Sequence, residues 1–208
     1  MKEISIIGFG DLGEQFYSFL KEENLVLNVF DDTYQSNQEN IKANLFNQYS
    51  ETNSNNFYVA LGYKHLKIKD DILNKLEELN KKTPNFIHKT SFINKTAVVE
   101  NAVFIYPMCN IDKNVLIEKG SLINNSVTIS HDSKVGKCCY ISPGVIVSGN
   151  VNIGNFTFIG SGVVISNGIK IGKNVVIGVG TVVTKDVPDN CSVIGNPMKF
   201  LKQPLILK

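Results

Sequence analysis

The chain has 208 residues, 43% of them hydrophobic, and a formal charge of +2. That is enough apolar material for one large domain or two small ones with a true core. With no long basic run and no apolar stretch near the roughly 20 residues of a membrane span, the sequence excludes a membrane-spanning helix and gives nucleic-acid or membrane-surface binding no basis.

The first 83 residues read as alternating strands and helices. Residues 4–8 (ISIIG) form a short apolar run that predicts a buried strand. It leads into Gly8-Phe9-Gly10-Asp11-Leu12-Gly13, which fits G-x-G-x-x-G, and then into a helical stretch over 14–23. The glycine loop also comes too early for the opening residues to be an export signal. Residues 25–30 (LVLNVF) predict a second strand closed by Asp31 and Asp32, and 56–62 (NFYVALG) a third, followed by helix to about Lys82. Pro84 marks the boundary. A strand, a glycine turn and a helix aim backbone N–H groups and a helix N-terminus at one point, where a phosphate can sit, and acids ending the second strand can hold ribose hydroxyls. The domain is too short for both halves of a dinucleotide fold. A mononucleotide-type ligand fits it better than NAD, and a purely structural role stays open.

From Ile87 the pattern changes. Every sixth residue up to Val183 is Ile or Val, seventeen in succession: Ile87, Ile93, Val99, Ile105 and so on without a break. Six is neither the helical period nor simple alternation, but it suits a triangular coil with one short strand per side. Four residues after each aliphatic position stands a small or β-branched residue, such as Ser91, Cys109, Ser121 or Val127, able to point inward beside it. Glycine often follows directly, at 136, 154, 160, 172 and 178, and the expectation is that corners there need unusual backbone angles. Asparagine near the corners tolerates left-handed conformations. Stacked at strand spacing, the coils predict a prism on the order of 27 Å tall.

Four cysteines (Cys109, Cys138, Cys139 and Cys191) form no Cys-x-x-Cys pair. No zinc site follows, and unpaired thiols without an export signal point to a reducing cytoplasm. Of three histidines, His65 opens a helix in the first domain and reads as a surface residue. His88, at the entrance to the repeat, reads as structural. His131 stands two positions after Ile129, faces outward, and is followed by Asp132. An imidazole can take a proton from an attacking amine or hydroxyl, and a carboxylate can orient it. Neighbours on a strand point to opposite sides, so Asp132 needs a corner to reach His131.

The glycine turn, Asp31-Asp32, the entry Phe86-Ile87-His88-Lys89, the His131-Asp132 step and the ending Gly195-Asn196-Pro197-Met198-Lys199 together cover nearly the whole chain. In these features it resembles the bacterial nucleotide-amino-sugar N-acetyltransferases, which group with sialic-acid O-acetyltransferase-like hexapeptide proteins. The resemblance implies an α/β plus β protein: a small Rossmann-like nucleotide-sugar domain over 1–83 and a left-handed parallel β-helix over 84–208. It implies acetyl transfer from acetyl-CoA, without a metal, to the 4-amino group of a UDP- or dTDP-linked 4-amino-4,6-dideoxy sugar. His131 would be the general base and Asp132 the acid that raises its basicity. The nucleotide-sugar would lie against Gly10, Asp11, Leu12, Asp31, Asp32 and Gly62. Acetyl-CoA would meet the Gly149 N–H with its thioester oxygen and pass Ser161 and Val179. A homotrimer would place the sites between neighbouring prisms.

Two positions depart from that pattern. Tyr140 stands where the family commonly has a second histidine contacting acetyl-CoA, and Gly10-Asp11-Leu12 lacks the family's turn histidine. An O-acetyltransferase acting on a sugar or sialic acid is the alternative. A γ-type carbonic anhydrase would need three zinc histidines on the prism, where only His88 and His131 occur, and a non-catalytic scaffold would bind no acetyl-CoA.

Overall fold

The computed structural model describes residues 2–20, 25–35 and 41–203. Residues 21–23, the expected end of the first helix, lie outside them. The chain divides into two compact units, Met1–Pro84 and Asn85–Lys208.

In the first unit, strands β1 (Lys2–Ile7), β2 (Leu25–Phe30), β3 (Ile41–Asn44) and β4 (Phe57–Val59) form one parallel sheet in the order β3-β2-β1-β4. Helices α1 (Asp11–Leu20) and α2 (Leu66–Glu78) accompany it. The central strands bury Ile4, Ile6, Ile7, Leu27 and Val29, as a covered parallel sheet requires. The sequence pattern predicts three strands, and the sheet has four. The fourth, β3, carries one buried residue, Ile41, in the polar run IKAN, and pairs only with β2 at the sheet edge. An edge strand with one anchor has no hydrophobic pattern to find. Helix α1 begins at Asp11, three residues earlier than expected, and so contains Gly13. A Cβ on Gly13 would collide with the Gly8 carbonyl oxygen. The glycine there permits close approach of turn and helix.

The second unit is a column of two-residue strands on three faces. The first face runs from Phe86–Ile87 to Val176–Ile177, the second from Phe92–Ile93 to Val182–Val183, and the third from Val98–Val99 to Lys170–Ile171. Each strand pairs in parallel with the strand 18 residues on, for example Leu122 with Tyr140 and Ile123 with Ile141. The aliphatic repeat positions are buried from Ile105 to Val183, while Ile87, in the first coil, is 41% exposed.

Four of the inward serines and threonines solve their own burial in one recurrent way. Ser121 Oγ donates to the Gly136 carbonyl and accepts the Cys139 N–H. Ser91, Ser133 and Thr157 do the same toward the carbonyl 15 residues on and the N–H 18 residues on. These staples join successive coils and leave no polar atom unpaired at the hydroxyl.

The corners differ from expectation. Left-handed φ falls on the third residue after the aliphatic position, at Ala102, Met108, Asn114, Ser126, Asp132, Cys138, Asn150, Phe156 and Asn174 as well as at several glycines. Gly136, Gly154, Gly160, Gly172 and Gly178, one residue after the aliphatic position, have no such angle. A Cβ on Gly154 would stand 2.6 Å from the Gly172 carbonyl carbon, and one on Gly136 2.9 Å from the Gly154 carbonyl carbon. These glycines therefore serve axial stacking rather than turning. The eighteen-residue register ends after Val183: Val176 pairs with Ser192, 16 residues on, and Lys199–Phe200 closes that edge antiparallel to Val193–Ile194. No helix among the described residues is long and apolar enough to cross a membrane, and all four cysteines are free.

Candidate active site

The corner between the second and third faces carries His131 and Asp132. Because Asp132 adopts φ 57°, the chain folds back there, and two consecutive side chains project together instead of to opposite sides. His131 Nδ1 lies 2.8 Å from Asp132 Oδ2. With the carboxylate ionised, Nδ1 carries the proton and donates, leaving the Nε2 lone pair free to accept one. The Asn114 amide, then the His131 ring, hold the Asp132 carboxyl below the usual carboxylate range.

One coil on, the same corner position is Gly149. A Cβ built there would stand 2.6 Å from His131 Cε1 and 2.7 Å from Nε2. The accepting face of the imidazole thus rests against the Gly149 backbone, and only glycine leaves room for it. The N–H groups on either side are used: Ser148 donates to Ile165 and Asn150 to the His131 carbonyl, both at 3.0 Å. The Gly149 N–H has no acceptor among the described residues. Buried Ser133 fixes this arrangement from inside, its hydroxyl bonded to the Ser148 carbonyl at 3.0 Å and the Val151 N–H at 3.1 Å.

Tyr140 stands elsewhere. It lies on the first face, opposite the His131 corner, where its hydroxyl accepts from the Asn124 amide at 3.2 Å and its ring packs against Phe158. Ser161 and Val179 stand at the corner between the first and second faces, Val179 being 73% exposed. The second face is thus bordered by Gly149 on one edge and by Ser161 and Val179 on the other.

In the first unit, the glycine turn and the end of β4 enclose a cavity of about 440 Å³, a size suited to a small ligand. Gly10, Asp11, Leu12, Asp31 and Gly62 line it, with Tyr63, Lys64 and His65 completing the wall. His65, read from sequence as a plain surface residue, is exposed but belongs to that wall. It follows the third strand with no motif around it, so nothing in the sequence marked it. The paired acids point to different places. Asp31 Oδ2 accepts the Phe9 N–H at 2.7 Å, and Oδ1 accepts the Thr33 N–H and hydroxyl. Partial burial pushes its carboxyl up, but the Phe9 and Thr33 donors outweigh this and hold it below the ordinary range. Asp32 Oδ1 accepts the Phe46 N–H at 2.8 Å, outside the cavity wall. Among the described residues no group of three His, Cys, Asp or Glu side chains is placed to hold a metal ion.

Residues 150–185 match the family model described as bacterial transferase hexapeptide (six repeats). No curated protein matches the sequence. Among solved structures, the chain is similar to the acetyltransferase domain of PglB from Neisseria gonorrhoeae FA1090, with a TM-score of 0.85 and 25% identity over 97% of this chain and 100% of that one. Residues 150–185 thus carry the hexapeptide transferase repeat, and the chain has the fold of an acetyltransferase domain. The same PglB domain in complex with acetyl coenzyme A superposes with a TM-score of 0.86 at 25% identity, over 96% of this chain and 99% of that one. PerB from Caulobacter crescentus, in complex with CoA and GDP-perosamine, shares the fold with a TM-score of 0.85 at 21% identity, over 97% of each chain. The likeness of fold therefore covers nearly the full length of the chain, the glycine-turn unit included.

Proposed function

We propose that the protein transfers the acetyl group of acetyl-CoA to the 4-amino group of a nucleotide-linked 4-amino-4,6-dideoxy sugar, with UDP or dTDP as the nucleotide. The observation that carries this reading is the His131 corner: a carboxylate-oriented imidazole whose accepting nitrogen lies against a glycine with an unused N–H.

The chemistry follows from those groups. The neutral amine attacks the thioester carbonyl, forming the C–N bond, while His131 Nε2 takes the amine's proton. Negative charge gathers on the carbonyl oxygen, where the Gly149 N–H stabilises it; such a donor is typically worth about 3 kcal/mol. The C–S bond then breaks and the imidazolium returns its proton to the CoA sulfur. A thioester is already activated, so positioning and charge stabilisation suffice.

Acetyl-CoA takes the second face, between Gly149 and the Ser161–Val179 corner. The first unit, a Rossmann-like domain in this reading, takes the nucleotide in its cavity, with Gly10, Asp11 and Leu12 offering turn amides and a helix N-terminus to the phosphates. Asp31 presents only what its bonds to Phe9 and Thr33 leave free. Tyr140 lies across the column from His131, so it can serve the same acetyl-CoA only if the left-handed columns of a homotrimer stand side by side.

An acceptor panel tests the reading: UDP-, dTDP- and GDP-linked 4-amino sugars against their 4-hydroxy counterparts, with CoA release as the readout. Transfer to amines in preference to alcohols is expected. Preference for the hydroxyl sugars makes the enzyme an O-acetyltransferase, and no transfer to either class ends the proposal.

A further inference from the structure

The corner that carries His131 holds a third polar side chain. Asn114 occupies the same corner position as Asp132 one coil earlier, and both adopt φ 57°. Its Nδ2 donates to Asp132 Oδ1 at 2.9 Å, while Asp132 Oδ2 meets His131 Nδ1 at 2.8 Å. Only the NH₂ end of an asparagine can face a carboxylate oxygen, so this orientation is chemically forced. Asn114 is itself anchored: its N–H donates to Thr96 Oγ1 at 2.9 Å, and Thr96 in turn donates to Asn94 Oδ1.

An exposed His–Asp contact is weak by itself, because both side chains keep other rotamers. The side chains of His131 and Asp132 are 43% and 37% exposed. We propose that Asn114 is a positioning residue for acetyl transfer: its amide clamps one oxygen of Asp132, so that the other stays aimed at His131 Nδ1. This rests on the reading of His131 as general base. The clamp acts on the orientation of the base and touches neither substrate.

The column supplies its own control. Asn174 Nδ2 donates to Asn190 Oδ1 at 3.0 Å, again between left-handed corner residues, but with no titratable group involved. Alanine and serine already occupy such corners at Ala102 and Ser126, with φ 56° and 59°. Asn114→Ala and Asn114→Ser are therefore compatible with the fold, and melting curves verify this for each variant.

The test is a double-mutant cycle on kcat and KM. Asn114→Ala is expected to lower kcat about tenfold, the order of a hydrogen bond to a charged group, with KM for both substrates changed less than about twofold. Asn114→Ser, which keeps a donor, recovers part of the loss. Asn174→Ala costs comparable stability and leaves kcat unchanged. In an Asp132→Ala background, Asn114→Ala has no further effect. Wild-type kcat for Asn114→Ala, or a further loss of the same size in the Asp132→Ala background, overturns the proposal. His131→Ala run in parallel separates the two readings: activity retained there sinks the functional assignment, whereas activity lost there but kept in Asn114→Ala sinks the clamp alone.

Discussion

In the column, polar groups are held by repetition, whereas in the glycine-turn unit each is held by a contact used once. Ser91, Ser121, Ser133 and Thr157 make the same pair of bonds at four levels of the stack. Asp31 alone ties Phe9 to Thr33, and Asp32 alone reaches Phe46. The difference teaches where variation is tolerated. The corner at Ile129–Asp132 has the same backbone course as the corners one coil before and after it, so its outward side chains are free to carry chemistry while the stack holds them. A change in the glycine-turn unit disturbs structure and ligand wall together.

Among changes to the frame around the corner, the largest expected effect lies at Gly149. Alanine there puts a methyl group 2.6–2.7 Å from the His131 ring. Misplacing the ring by about 1 Å is expected to cut kcat roughly 100-fold, with melting almost unchanged because the stack is untouched. Gly144→Ala places its methyl in open space, at a left-handed corner of φ 69° where the strain falls on stability, and should leave kcat near wild type. Equal losses for both would break the contrast between corner chemistry and column structure.

Ser133→Ala comes next. It strands the Ser148 carbonyl and the Val151 N–H, which should cost about 1–3 kcal/mol of unfolding free energy. Ser121→Ala, in an equivalent staple away from the site, should cost the same in chemical denaturation. Of the two, only Ser133→Ala should also lower kcat. If both variants leave stability unchanged, the staples are incidental.

The smallest effect concerns pH. The Asp31 carboxyl is depressed in the folded state. Its stabilising contribution is therefore complete above the unfolded carboxylate value of about 3.9 and is lost as pH falls below that toward the folded value. Asp31→Asn should remove this acid-side slope, measured as midpoint against pH, and weaken the tie to Phe9. An unchanged slope would mean that Asp31 does not anchor the turn.

What the sequence made legible follows the same division. A rule repeated seventeen times exposed the column, its frame and the outward His131. The neighbour Asp132 was legible as well, since adjacency is visible in one dimension. Asn114 was not: it becomes a neighbour only when the chain is wrapped at eighteen residues, where Thr96, Asn114 and Asp132 align. The repeat glycines were found but given the wrong duty, because closeness between coils does not show in a linear pattern. In the first unit, β3 escaped notice for want of periodicity. The divergent aims of Asp31 and Asp32 depend on the loop that follows them, which carries no motif.

The most direct measurement of the account is the single-turnover rate of acetyl transfer by His131→Ala with acetyl-CoA and the best amino-sugar nucleotide from the panel. Loss of a general base predicts a rate reduced about 10²- to 10⁴-fold, with acetyl-CoA affinity and melting temperature retained. A rate within a few-fold of wild type would contradict it.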